Sequence, residues 1–388
     1  MDPRQRLARH IVDLPRSGIR EFFDIVSTRQ GVVSLAIGEP DFDTPWHIRE
    51  AAMFSLEQGA THYTGNAGLL SLRRAIADYV KANFGGDYDP ASEVLVTVGA
   101  SEGLDCALRA LLNPGDEVLY HEPCFVSYAP EIAMAHGVPV PVETHPDDGF
   151  RLSVEALEAK VTPRTKALIV NFPNNPTGAV LDRAEVEAIA DFAIRHDLIV
   201  CSDEIYAELT WGGRKHVSFA SIPALRDRLV LLHGYSKAWA MTGFRMAYVC
   251  APKWMMDTIL KIHQYAIMCA STASQHAALE AMRKPAEDMA PMLRAYERRR
   301  NFLSAAFADA GIPMHTPAGA FYAFPDIRRF GLTSREFAVR LLDAENVAVV
   351  PGTAFGACGE GFVRCSYATG MEQLKLAAER IARFVNTL

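Results

Sequence analysis

A regular exchange of two hydrophobic periods along the middle of the chain limits its fold more than anything else. Short apolar or β-branched runs at Val94–Val98, Glu117–Tyr120, Val138–Val142, Ala167–Phe172, Leu198–Ser202, Leu229–His233 and Met246–Cys250 predict strands. Between them lie stretches such as Gly103–Leu112 and Ala184–His196, whose apolar residues recur every three or four positions and predict helices. Strands that are apolar at consecutive residues are buried on both faces. The pattern therefore predicts an α/β fold whose mixed, mainly parallel sheet is sandwiched by helices. Ligands of such sheets sit beyond the carboxyl ends of the strands, where loops feed into helix N-termini.

From about Pro285 the pattern changes. A long helical stretch, Glu287–Ala310, precedes strands near Phe321–Phe324, Val347–Val350 and Phe362–Ser366 and helices near Ser334–Ala344 and Met371–Val385. This predicts a large domain of residues 45–285 and a small α+β domain made of residues 286–388 with residues 1–44. A length of 388 residues suits two domains. No internal repeat or low-complexity tract interrupts them.

Several function classes are disfavoured at once. The 39 basic and 46 acidic residues leave a net charge of −7, against the basic stripe of a nucleic-acid binder. No run of 18 apolar residues occurs, so no membrane partner is expected. The start, MDPRQRLARHIVDLPRSGIR, has no apolar core and is no secretory signal, and its acidic residues count against a transit peptide. The seven cysteines are irregularly spaced without CxxC, and no HExxH pair occurs among twelve histidines. Neither a disulfide framework nor a metal site is expected, and the compartment expected is the reducing cytoplasm.

Four local patterns carry chemistry. In GYSKAWAMTGFRMAY, Ser236, Lys237 and Arg245 surround a loop that follows the apolar strand LVLLH. Burial there would lower a lysine's pKa and make it a usable nucleophile, although a solvated loop lysine fits the same residues. In SDEIYAELT, Asp203 closes a strand and Tyr206 follows three residues on. They could hold a protonated ring nitrogen and an anionic ring oxygen; an N-cap explains the Asp without any ligand. In NFPNNPTG, two prolines and a glycine make a rigid turn that would fix the Asn175 amide, as a plain turn also would. In VTVGASEGLDCALRA, a strand ends at Gly99 and a helix opens with Ser101 as its expected N-cap, a junction suited to phosphate. Neither GxGxxG nor GxxxxGK[ST] is present.

Taken together, these patterns supply a phosphate cradle, a pyridinium partner, donors for a phenolate oxygen and an amine. That set matches pyridoxal 5'-phosphate. The whole chain resembles the fold-type I, class I/II pyridoxal-phosphate aminotransferases. The likeness is carried by LAIGEPDF, HYTGNAGLLSLR, GASEG, NFPNNPTG, SDEIY, YSKAWAMTGFRMAY and FVRCSYA, in family order.

The resemblance implies a homodimeric enzyme that moves an amino group from an L-amino acid to a 2-oxo acid by a ping-pong mechanism. It implies Lys237 as the Schiff-base lysine and proton shuttle, Asp203 at the pyridine nitrogen, and Asn175 and Tyr206 at the ring oxygen. The backbone at Ala100, Ser101 and Glu102, with Ser236 and Arg245, would hold phosphate. Phe125 would stack on the ring, Arg364 would grip the substrate carboxylate, and Gly38 would lie against the substrate. Tyr63 would reach the neighbouring chain's phosphate. Within the family, SGIR, YTGNAGLLSLR and HQYAIMCASTASQ resemble the aromatic and N-acetyl-diaminopimelate subgroup, which mixes substrates, aspartate and glutamate types included. A carbon–sulfur β-lyase shares the fold and the lysine. An aminotransferase-like regulator would need a DNA-binding module, for which the motifs leave no room.

Overall fold

The computed structural model describes residues 6–14, 18 and 29–388. Of the SGIR motif, Ser17, Ile19 and Arg20 lie outside the described residues, as does part of the opening segment assigned to the small domain.

Near the start, β1 (Val33–Ser34) is a two-residue strand. Seven strands then build the main sheet: β2 (Val94–Val98), β3 (Glu117–Glu122), β4 (Val138–Glu143), β5 (Thr165–Asn171), β6 (Ile199–Asp203), β7 (Leu229–Gly234) and β8 (Met246–Cys250). Their spatial order is β2-β8-β7-β6-β5-β3-β4. Every pairing is parallel except those of β8, which runs against both β2 and β7. The sheet is mixed and mainly parallel, as the sequence predicts.

Its two faces feed two cores. Leu168, Val170 and Leu231 point into one, with Val186, Ile189 and Phe192 of the helix Arg183–Arg195. Ala167, Ile169, Val230 and Leu232 point into the other, with Leu104, Ala107 and Leu108 of the helix Gly99–Leu111 and Met255, Met256 and Ile259 of the helix Lys253–Ile267. Alternate residues of one strand are thus buried on opposite sides, which is why these strands read as unbroken apolar runs.

The remaining strands are β9 (Tyr322–Ala323), β10 (Val347–Ala348), β11 (Val350–Pro351) and β12 (Val363–Ser366). They run among the helices Pro285–Asp309, Ser334–Glu345 and Met371–Val385. The expected single strand Val347–Val350 is two. β10 pairs in parallel with β1, whereas β11 joins the antiparallel sheet β11-β12-β9, so the chain changes partners at Val349. Ser366 donates its backbone N–H to Leu35 O, which ties the segment leading to Gly38 onto β12.

Candidate active site

Four site segments leave the carboxyl ends of β2, β5, β6 and β7. Each turns sharply for a local reason.

At the end of β2, Gly99 has φ 76° and lets the strand pass directly into a helix. A Cβ there would lie 2.5 Å from the Arg245 guanidinium, so glycine is also needed for close approach. The helix therefore begins at Gly99, and Ser101 lies in its first turn rather than at its cap. Val98 makes no side-chain cap, which leaves the positive helix end beside Ser101, Ser236 and Arg245.

After β5, Asn171 donates from Nδ2 to Asp203 O at 2.8 Å, and its Oδ1 accepts the Asn175 N–H at 3.3 Å. Asn174 Oδ1 accepts from both the N–H and hydroxyl of Thr177. The turn fixes Asn175, whose Oδ1 accepts from Arg364 Nη1 at 3.1 Å.

At the end of β6, Asp203 is buried, and no helix follows for it to cap. Its Oδ2 accepts from Tyr128 Oη at 2.7 Å and its Oδ1 from the Ile205 N–H at 3.2 Å. Burial pushes this carboxyl up from the ordinary Asp range, partly countered by the Tyr128 and Ile205 hydrogen bonds. Tyr206 Oη lies 2.9 Å from Tyr322 Oη.

Past β7, Lys237 donates from Nζ to Gly38 O at 2.7 Å. Burial is the main cause that brings its pKa down to about 8, and the charge of Arg364 lowers it further. An amine this close to neutrality is a competent nucleophile and base. Below about pH 8 the depressed lysine is protonated, so only above it is the amine largely free. The cofactor-free protein should therefore capture a small aldehyde at a rate that climbs through about pH 8 and then levels. A rate still climbing toward pH 10.5 would mean an ordinary, solvated lysine.

These residues share one cavity of about 390 Å³. Gly38, Ala100, Ser101, Phe125, Asn175, Asp203, Tyr206, Ser236, Lys237, Arg245 and Arg364 all line it. The remaining two expected residues do not line it: Glu102 is expected to contribute its backbone, which lies in the first turn of the helix, and Tyr63 to serve the neighbouring chain. The Glu102 carboxylate turns back to accept the Val98 N–H at 2.7 Å and meets His263, away from the cavity. Tyr63 lies outside, 80% exposed. Tyr128, Tyr322 and Glu131 also line the cavity and were not anticipated, although Tyr128 stands three residues after Phe125 in the same motif. A Cβ at Gly38 would lie 2.5 Å from Tyr322 Oη, so a side chain there would have to displace that hydroxyl.

Arg364 is buried on β12 between the rings of Tyr322 and Phe355, at 4.5 and 4.8 Å. Its Nη2 donates to Ala36 O at 2.6 Å, while its buried Nε has no hydrogen-bond partner. An unmet buried donor on an arginine beside a lysine is suited to an incoming carboxylate.

The sequence profile described as aminotransferase class I and II matches residues 30–381. The chain belongs to the class I and II aminotransferases. It is 49% identical to the YugH protein of Bacillus subtilis over 380 residues, 98% of each chain. It is 45% identical to aromatic-amino-acid aminotransferase 2 of Thermococcus litoralis, covering 95% of each. Among solved structures, the aspartate aminotransferase of Thermus thermophilus with maleate superposes at a TM-score of 0.92 and 40% identity, covering 97% of this chain and 99% of that one. The protein is thus an aminotransferase of a family that in general depends on pyridoxal phosphate. The donor set fits that group: an uncapped helix end with Ser101, Ser236 and Arg245 for phosphate, and a buried Asp203 whose hydrogen-bond donors are neutral.

Proposed function

We propose that this chain binds pyridoxal 5'-phosphate in the 390 Å³ cavity and moves an amino group from an L-amino acid to a 2-oxo acid in two half-reactions. The observation that carries the reading is Lys237, a half-buried amine with a lowered pKa facing the same cavity as Asp203 and Arg364. Ser101, Ser236 and Arg245 would hold the phosphate, Phe125 would cover one ring face, and Asn175 and Tyr206 would bind the ring oxygen. Bound there, the cofactor supplies an electron sink for the bond broken at the substrate α-carbon. Asp203 holds a proton at the ring nitrogen. Arg364 orients the substrate carboxylate, and Lys237 Nζ takes the α-carbon proton.

Substrates of the aromatic, aspartate/glutamate or N-acetyl-diaminopimelate type are part of the proposal, supported by the relatives named for aromatic amino acids and aspartate and by the YTGNAGLLSLR and HQYAIMCASTASQ motifs. A donor–acceptor screen tests this. Parallel initial-rate lines with one of these pairs are expected, and pyruvate release from cystathionine without transamination would favour the β-lyase instead.

Arg364→Lys should keep the cofactor but lose about 2–3 kcal/mol in kcat/KM, because an ammonium cannot make the paired planar contact. Unchanged kcat/KM for every accepted donor would remove Arg364 from the role.

A homodimer with shared sites is part of the proposal, supported by the exposed Tyr63. Mixing Tyr63→Phe dimers with Lys237→Ala dimers should yield hybrids with one site carrying both defects and one carrying neither. The second should turn over normally. Hybrids defective at both sites would mean that each chain uses its own tyrosine. No helix among the described residues is long and apolar enough to cross a membrane, and the free cysteines fit a reducing cytoplasm.

A further inference from the structure

Behind the phosphate-facing turn lies a hydrogen-bonded chain that the reaction does not use. Glu102 Oε2 accepts the Val98 N–H at 2.7 Å, and Oε1 meets His263 Nδ1 at 2.7 Å. His263 comes from the middle of the helix Lys253–Ile267 and is fully buried. Its other nitrogen, Nε2, lies 2.9 Å from Asn66 O. A carbonyl oxygen can only accept, so Nε2 carries a hydrogen. Nδ1 and Glu102 then share the next proton, and every polar atom along the path has a partner.

Asn66 sits in the loop that bears Tyr63. The rest of that loop is held from the same side: Thr272 donates to His62 O at 2.7 Å, and Gln275 donates to Thr64 Oγ1 at 3.1 Å. Asn66 itself donates to Met268 O at 2.8 Å. The loop is also tied to β2 by backbone, the Val96 N–H donating to Ala67 O at 3.1 Å, while Glu102 and His263 carry it on to the start of the helix Gly99–Leu111 through their side chains. Two segments far apart in sequence, one facing this chain's cavity and one turned outward, thus meet across a buried histidine and a half-buried glutamate.

We propose that Glu102 and His263 form a positioning pair. It locks the turn at Gly99–Ser101 to the Tyr63 loop, so that the phosphate contacts within the chain and those offered outward keep one fixed spacing. The inference rests on the cofactor reading above. Neither side chain touches the cofactor in it; both act through the backbone that they hold.

The test uses holoenzyme variants with two measurements. Glu102→Gln can still accept the Val98 N–H through its oxygen and donate from its amide to a neutral His263, so it should keep the chain connected. Glu102→Ala and His263→Phe cannot. Cofactor loss on dilution, followed by visible absorbance, should be about tenfold faster in the two broken variants, as expected for one hydrogen bond lost with its partner left unmet. It should stay within about twofold of wild type in Glu102→Gln. The second measurement is amide hydrogen exchange. In His263→Phe, exchange should rise at residues 62–69 and 98–102 and stay unchanged in β5 and β6. Equal cofactor loss in Glu102→Gln and Glu102→Ala, or loop exchange unmoved in His263→Phe, overturns the pair. Wild-type protein that takes up no pyridoxal phosphate would instead overturn the cofactor reading, and the exchange measurement would still judge the coupling.

Discussion

Lys237→Ala should abolish transamination, with a loss of roughly 10⁴-fold or more in kcat, because it removes both the nucleophile and the group that moves the α-carbon proton. The fold should survive. Lys237 is held by one hydrogen bond to Gly38 O, and losing a half-buried amine also removes its desolvation cost. Bound cofactor should persist through phosphate contacts but lack the visible band of a lysine-linked ring. A variant that keeps more than about a hundredth of wild-type kcat would assign the proton transfer to another group.

Asp203→Asn is the second large effect. Asn fills the same volume; its oxygen can still accept the Ile205 N–H and its amide can donate to Tyr128 Oη, so the site's shape should hold. What disappears is the negative charge that the proposal sets against a protonated ring nitrogen. Removing one member of a buried ion pair costs about 3–5 kcal/mol, which predicts a fall in kcat on the order of 10²–10³-fold. The comparison that isolates charge from packing is Tyr128→Phe, which keeps the carboxylate and removes one hydrogen bond. Its loss should be clearly smaller. If Asp203→Asn turned over like the wild type, the ring nitrogen would have no need of a charged partner here.

The framework was legible because its strands are buried on both faces. β2 and β8 begin and end where apolar runs do, and the helix Met371–Val385 matches its periodicity. Site residues that follow strands were legible for a related reason: in a parallel sheet the carboxyl ends converge, so Asn175, Asp203 and Lys237 meet although they are distant in sequence.

What escaped the sequence depends on side-chain direction or on long-range partners. Nothing local says that the Glu102 carboxylate turns back to Val98 and reaches His263. Tyr322 reaches the site from β9, and its hydroxyl matters only because Gly38 and Tyr206 approach it. Gly99 starts the helix two residues before the expected cap because a positive φ makes the turn without a side-chain oxygen. The division of Val347–Pro351 into β10 and β11 follows from two different neighbours, which periodicity cannot express.

Lys237 is the residue proposed to bond the cofactor, and one labelling experiment tests it directly. Wild-type protein loaded with pyridoxal phosphate is reduced with borohydride, digested, and its peptides are sequenced by mass spectrometry. The pyridoxyl group is expected on Lys237, in the segment GYSKAWAMTGFR. A stoichiometric label on any other lysine, or none on Lys237 in protein that is active before reduction, would contradict the account.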